Sequence, residues 1–285
     1  VARGEWRETT RIISEAAEIL EAEYPMTLRQ CFYRLVSRGV IENSRRDYQM
    51  LSRILTKARG DGRIEYEWIT DRSRPTYQPS VFENPAEYAE TIKRAYRKDY
   101  WSAQPWHVEV WTEKDSIIGS IEPVTNDLGV TVRVGRGFLS TTRAYEIAQH
   151  FKSLDKAIQV FYLGDFDPSG MAIEDDAASR VEAHGTYFDI ERLAIHRADI
   201  AEFDLPPLRV KDSDTRSAKF TNKHGDEAVE LDALPVGELR ARLREAIEGK
   251  IEKDTWDRAV AVEKVEKSSI LSSMELWKNL PTESA

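Results

Sequence analysis

The sequence predicts an α/β protein in which a basic helical segment precedes a parallel-sheet domain. Two patterns predict this order. Up to about residue 60, apolar residues recur at helical spacing. From Trp106 onward, short continuous apolar runs alternate with amphipathic stretches, as in a parallel sheet covered on both faces. Charge divides the chain at the same place. The net charge is −9 over 285 residues, yet residues 27–75 hold eleven Lys and Arg against six Asp and Glu, so this segment carries +5 and the remainder −14.

The elements follow in order. Residues 5–23 put Ile12, Ile13, Ala16, Ile19 and Leu20 on one helical stripe, which Pro25 ends. Thr27 is placed to cap a second helix, LRQCFYRLVSR, closed by Gly39. Ser44 caps a third, RRDYQMLSRILTKAR, which stops at GDG. The alternating, aromatic stretch RIEYEWITDRSRP reads as a short β-ribbon. Three helices and a ribbon are the order of a winged helix, expected over residues 1–80. Its third helix would enter a DNA groove with Arg45, Arg46, Arg53, Lys57 and Arg59. A small helical domain with a solvated basic face gives the same pattern. Residues 81–104 form a connector in which Asn84-Pro85 starts a helix.

Residues 105–285 hold the sheet domain and a C-terminal extension. WHVEVWTEK, VTVRVG, AIQVFYLGD and YFDIERLAI read as strands, and the segments between them as helices, one capped by Ser140. The amphipathic tail DTWDRAVAVEKVEKSSILSSMELWKNL is expected to dock on the core or on a second copy. Ligands of such sheets bind beyond the carboxyl ends of the strands. The first strand ends at Glu113-Lys114 and the third at Gly164-Asp165-Phe166-Asp167. Glu113, Asp165 and Asp167 should therefore converge on one edge. Hard oxygen ligands of this kind suit Mg²⁺, with Mn²⁺ as the alternative. Lys114, and Arg143 at the start of the helix after the second strand, are candidates for phosphate contact.

WTEK followed by GDFDPSG resembles the TOPRIM domain of topoisomerases, bacterial primases and some nucleases. The DPSG continuation is similar to the A subunit of topoisomerase VI and the related meiotic double-strand-break protein, in which a winged helix precedes the TOPRIM domain. The segment RQCFY matches the family's tyrosine motif, placing Arg29 and Tyr33 on its arginine and nucleophilic tyrosine. GRGFLSTTRAYEIAQHF resembles the second TOPRIM segment, and KDSDTRSAKF with AVELDAL the C-terminal part more loosely. The likeness covers roughly residues 25–75 and 105–250. The chain departs from the family at Asp115, where a second glutamate is usual, and at Gln30, where an aspartate is usual.

The resemblance implies a Mg²⁺-dependent type IIB topoisomerase-like enzyme. Tyr33 would attack double-stranded DNA to leave a reversible 5′-phosphotyrosyl link. Arg29 would hold phosphate oxygens, and two protomers would cut as a homodimer. No phosphate-cradling GxxxxGK[ST] occurs, so an ATPase would be a separate subunit. A short stand-alone bacterial or phage member would work without one.

The rivals are a TOPRIM hydrolytic nuclease with no covalent intermediate and a DNA-binding partner protein without activity. A primase reading is weakened by the single cysteine, Cys31, which also excludes an internal disulfide and a multi-cysteine zinc site. The five histidines show no metal-ligand spacing and are expected to be structural. KDSDTR, with Lys211, Asp212, Asp214 and Arg216, reads as a solvated turn, with a charged loop reaching toward the DNA as the alternative. Neither a membrane span of about 20 apolar residues nor a signal segment is visible, which places the protein in the cytoplasm, at the nucleoid.

Overall fold

The computed structural model describes residues 3–70, 79–135, 137–210 and 216–278. It has a mixed α/β fold, with a helical N-terminal segment followed by a parallel sheet. The chain forms two compact units, one of Val1–Arg74 with Val108–Gly249, the other of Pro75–His107 with Lys250–Ala285.

In the first unit, α1 (Arg3–Glu23), α2 (Leu28–Ser37) and α3 (Arg45–Gly60) pack on one another. Thr27 opens α2 with a reciprocal cap. Its hydroxyl accepts from the Gln30 amide at 3.0 Å, and its own amide donates to the Gln30 side chain at 2.7 Å. Ser44 caps α3 by accepting from the Asp47 amide at 3.1 Å. The expected β-ribbon does not form over residues 63–70. Tyr66–Trp68 is a single 3₁₀ turn, and Ile69 bridges Met26 instead. The turn before α2 supplies the backbone partners, since Met26 donates to the Trp68 carbonyl and accepts from the Thr70 amide. A partner distant in sequence, the turn before α2, has taken these hydrogen bonds in place of a returning strand. The rest of the ribbon segment, residues 71–75, lies outside the described residues.

β1 (Trp106–Thr112), β2 (Thr131–Val134), β3 (Ala157–Leu163) and β4 (Asp189–Ala194) form one sheet in the order β2-β1-β3-β4. β1 pairs with β2, and β3 with β4, in parallel. The inner strands β1 and β3 are buried over most of their length, as their mainly apolar sequences require, with Glu109 and Gln159 buried among the apolar residues. On one face, Ile158, Val160 and Tyr162 pack with α6 (Thr141–Ser153) and α7 (Pro168–Glu182) through Ile147, Phe151, Ala177 and Val181. α5 (Ile118–Asp127) and α10 (Val236–Glu248) pack together and meet β2 and β4, respectively. α8 (Arg197–Glu202), β5 (Leu208–Arg209), α9 (Ser217–His224) and β6 (Glu227–Ala228) lie between β4 and α10, with β5 and β6 forming a small antiparallel pair.

The second unit is built on α4 (Pro85–Ala95) against α11 (Lys253–Lys278), so the amphipathic tail docks within its own unit. Asn84 caps α4 as expected, accepting from the Glu87 amide at 3.0 Å. Trp256 packs edge-on against Tyr100 and Trp101.

Burial alone would push the Glu263 carboxyl up. Hydrogen bonds from Lys267, the Lys98 amide and Tyr100 outweigh it and hold the group down at about 2. Its folded value thus lies below the usual unfolded value of about 4.3. Its stabilisation is present above that value and is lost as pH falls toward 2. Glu263→Gln is therefore expected to lower the melting temperature at pH 6. The gap from wild type should shrink steadily between pH 5 and 3, as read by circular dichroism.

Candidate active site

The carboxyl ends of the neighbouring strands β1 and β3 carry the three predicted carboxylates. Glu113 directly follows β1, and Asp165 and Asp167 follow β3. The segment from Gly164 to Gly170 is held from two sides. Phe166 exchanges two backbone hydrogen bonds of 2.9 Å with Val229. Arg192 of β4, with a side chain only 8% exposed, pairs with Glu174 at 2.6 Å and donates to the carbonyls of Gly164 at 3.0 Å and Asp165 at 3.2 Å. Asp167 then caps α7, accepting from the Gly170 amide at 2.6 Å.

Each of the three carboxylates has one engaged oxygen. Glu113 Oε1 accepts from the Asp165 amide at 3.3 Å. Asp165 Oδ1 accepts from the Leu231 amide at 2.6 Å and meets Lys114 Nζ at 2.8 Å. Asp167 Oδ1 holds Gly170. The second oxygen of each takes no partner among the described residues. Burial pushes the Asp165 carboxyl up to about 6 even with the Lys114 ammonium opposing it. Glu113 is raised as well, by burial first, with Asp167 adding to the effect. The cluster therefore carries negative charge that its own surroundings only partly compensate. Carboxylate oxygens suit a hard divalent cation, although the ligand atoms of Glu113, Asp165 and Asp167 do not all lie within 4.8 Å of one another.

Lys114 is 17% exposed and turns into this cluster, where it also meets Asp232 at 2.9 Å and Glu230 at 3.6 Å. Burial lowers the affinity of its amine for a proton, but these carboxylates outweigh it and keep the group charged. Sequence reasoning missed Glu230 and Asp232. They flank Leu231 in AVELDAL, and only the long-range bridge at Val229 brings them here. Arg192 was missed for the same kind of reason, since a lone arginine in a strand gives no local signal.

Arg29 and Tyr33 share one face of α2. Arg29, 49% exposed, pairs with Glu230 at 3.1 Å. Tyr33 is 4% exposed and packs edge-on against Phe32. Burial pushes its hydroxyl well above the ordinary tyrosine value, Glu230 adds to that, and Arg29 and Lys114 only oppose it. On α3, Arg45, Arg46, Arg53 and Lys57 are exposed. Arg59 is half-buried and donates to the Tyr66 carbonyl at 2.9 Å. Arg143 is exposed and pairs with Glu146 at 2.9 Å. Of the KDSDTR loop, residues 211–215 lie outside the described residues.

The expectation of scattered histidines is corrected. His107 and Glu109 on β1 and His150 on α6 offer ligand atoms within 4.8 Å of one another, a group able to hold a metal ion. β-strand alternation puts residues 107 and 109 on one face, and only folding brings His150 to them. Glu109 is fully buried and already accepts from Arg133 at 2.5 and 2.6 Å and from the Trp111 indole at 2.8 Å. A metal there competes with a paired guanidinium, whereas the strand-end carboxylates each keep one oxygen without a partner among the described residues but do not all lie within 4.8 Å of one another.

No protein-family model matches the sequence, and no curated protein is detectably similar to it. Among the described residues, no helix is long and apolar enough to cross a membrane.

A Cβ added at Gly170 would lie 2.5 Å from the Asp165 carbonyl oxygen, a backbone atom that cannot swing aside. Gly170→Ala is expected to destabilise the protein by about 1–3 kcal/mol, measured by urea unfolding.

Proposed function

We propose that the chain is a divalent-metal-dependent enzyme that hydrolyses DNA phosphodiester bonds, in the manner of a TOPRIM nuclease. The observation that carries this reading is the set of three strand-end carboxylates, each with one oxygen engaged and the other without a partner among the described residues. Glu113, Asp165 and Asp167 would hold Mg²⁺ or Mn²⁺, which when bound neutralises charge at the attacked phosphate and lowers the pKa of a coordinated water. Lys114 keeps Asp165 oriented and adds fixed positive charge beside the phosphate. Arg29, half-exposed at the same edge, is placed to take a non-bridging oxygen. The exposed cations of α3 position the nucleic-acid backbone without reading its sequence.

The second reading is transesterification by Tyr33, in a homodimer of the topoisomerase VI A type, with or without an ATPase subunit. The spacing of Arg29 and Tyr33 on α2 favours it. The burial of Tyr33 weighs against it, because a phenol acts as a nucleophile only when its anion is stabilised, and here the anion is disfavoured.

Supercoiled plasmid incubated with Mg²⁺ or Mn²⁺ and quenched with SDS, with and without protease, tests both readings. Asp165→Asn is expected to lower cleavage at least about 100-fold, while Tyr33→Phe cuts at a similar rate and leaves free ends. Ends that carry protein, lost in Tyr33→Phe, establish the transesterase instead. Glu109→Gln should keep cleaving, and a loss equal to that of Asp165→Asn would move the metal to the histidine group. DNA binding with no cleavage under either metal would leave the partner-protein role.

A further inference from the structure

Two cavities adjoin beside α2 and α3. The first, of about 680 Å³, is lined by Arg29, Tyr48, Arg59, Glu113 and Lys114 among others. The second, of about 530 Å³, is lined by Arg29, Tyr33, Arg45, Tyr48 and Gln49 among others. Arg29 and Tyr48 belong to both, so the two form one trough that reaches a strand-end carboxylate, Glu113. In the first cavity Arg29, Arg59 and Lys114 are matched by Glu113, Asp115 and Asp232, whereas in the second Arg29 and Arg45 face Glu230 alone, so the cationic stretch is the end between Arg29 and Arg45. At the junction stands the half-buried ring of Tyr48, braced edge-on by Phe32 at 5.3 Å, with the Arg29 guanidinium 5.8 Å from its centre.

A cationic groove with an aromatic side chain along it takes single strands, since the cations follow the phosphates and the ring stacks on any base. A duplex presents phosphates on a convex surface and keeps its bases stacked inside. It can lie on the exposed face of α3, but it cannot enter a concave trough of this size without an unpaired nucleotide leaving the stack.

We propose that this trough binds an unpaired polynucleotide strand, with a base stacked on Tyr48 and adjoining phosphates on Arg29 and Arg45. The substrate of the site would then be a single strand, a flap or a frayed end. The inference deepens the hydrolase reading and rests on it only for what happens to the bound strand.

The test is fluorescence anisotropy in EDTA with labelled oligothymidine, a blunt duplex of equal length, and oligouridine. Because binding is read without cleavage, failure here is distinct from failure of the hydrolase reading. Oligothymidine is expected to bind at least about tenfold tighter than the duplex. Tyr48→Ala should weaken single-strand binding about 5- to 100-fold and duplex binding less than about twofold, while Tyr48→Phe binds as wild type. Arg45→Ala, an exposed change safe for folding, should lower the single-strand salt slope by about 0.7. Duplex binding as tight as single-strand binding overturns the proposal, as does an equal loss of both in Tyr48→Ala or an unchanged slope in Arg45→Ala. The oligouridine arm separates the two sources of strand. Binding of oligouridine without oligothymidine overturns a DNA substrate.

Discussion

The ion cluster around Lys114 is the interaction on which the rest of the site depends. Lys114 comes from the end of β1, Asp165 from the end of β3, and Glu230 and Asp232 from the segment after β6. The same acids reach the helical segment, through Arg29 to Glu230 and the Thr27 hydroxyl to Asp232. One ammonium therefore ties together pieces of chain that share no secondary structure. Removing one partner of a buried ion pair leaves uncompensated charge at a cost of about 3–5 kcal/mol. Lys114 is thus a structural cation as well as a neighbour of the proposed metal position, and the carboxylates can crowd together only because it stands among them.

Arginines do related work on irregular backbone. Buried carbonyls outside helices and strands need donors, and a guanidinium offers five. Arg192 supplies them to the segment that carries Asp165 and Asp167. Arg240 of α10 supplies them to the carbonyls of Glu23, Tyr24, Pro25 and Ser120, joining the turn between α1 and α2 to α5. The α1–α3 segment and the sheet fall within one compact unit. That placement brings Arg29 and Tyr48 to the edge where Glu113 lies.

The electrostatic character of the site follows from this arrangement. An acidic chain presents an exposed row of cations on α3, next to a recessed group of carboxylates. Net charge of the whole chain says little about such a surface, because a local field is set by the nearest few charges and is screened beyond about 10 Å at 0.1 M salt. The basic row can attract a polyanion while the recess keeps the carboxylates that a divalent cation requires.

The sequence by itself determined the local structure. Thr27, Ser44, Asn84, Ser140 and Asp167 cap the helices they precede, because capping uses atoms only a few residues apart. The mainly apolar runs announced the inner strands, and the rule that sites lie at strand ends placed Glu113 beside Asp165 and Asp167. Tertiary structure decided whatever depended on distant partners. The stretch at residues 63–70 gave up its ribbon because Met26 supplied its hydrogen bonds. Tyr33 became a buried phenol because Glu230 and its neighbours closed over α2. His150 came to Glu109, and Glu230 and Asp232 came to Lys114, across separations that no local pattern encodes. Alternation and capping are short-range and can be read along a chain, whereas the pairing of a buried charge is settled only when the chain has closed around it.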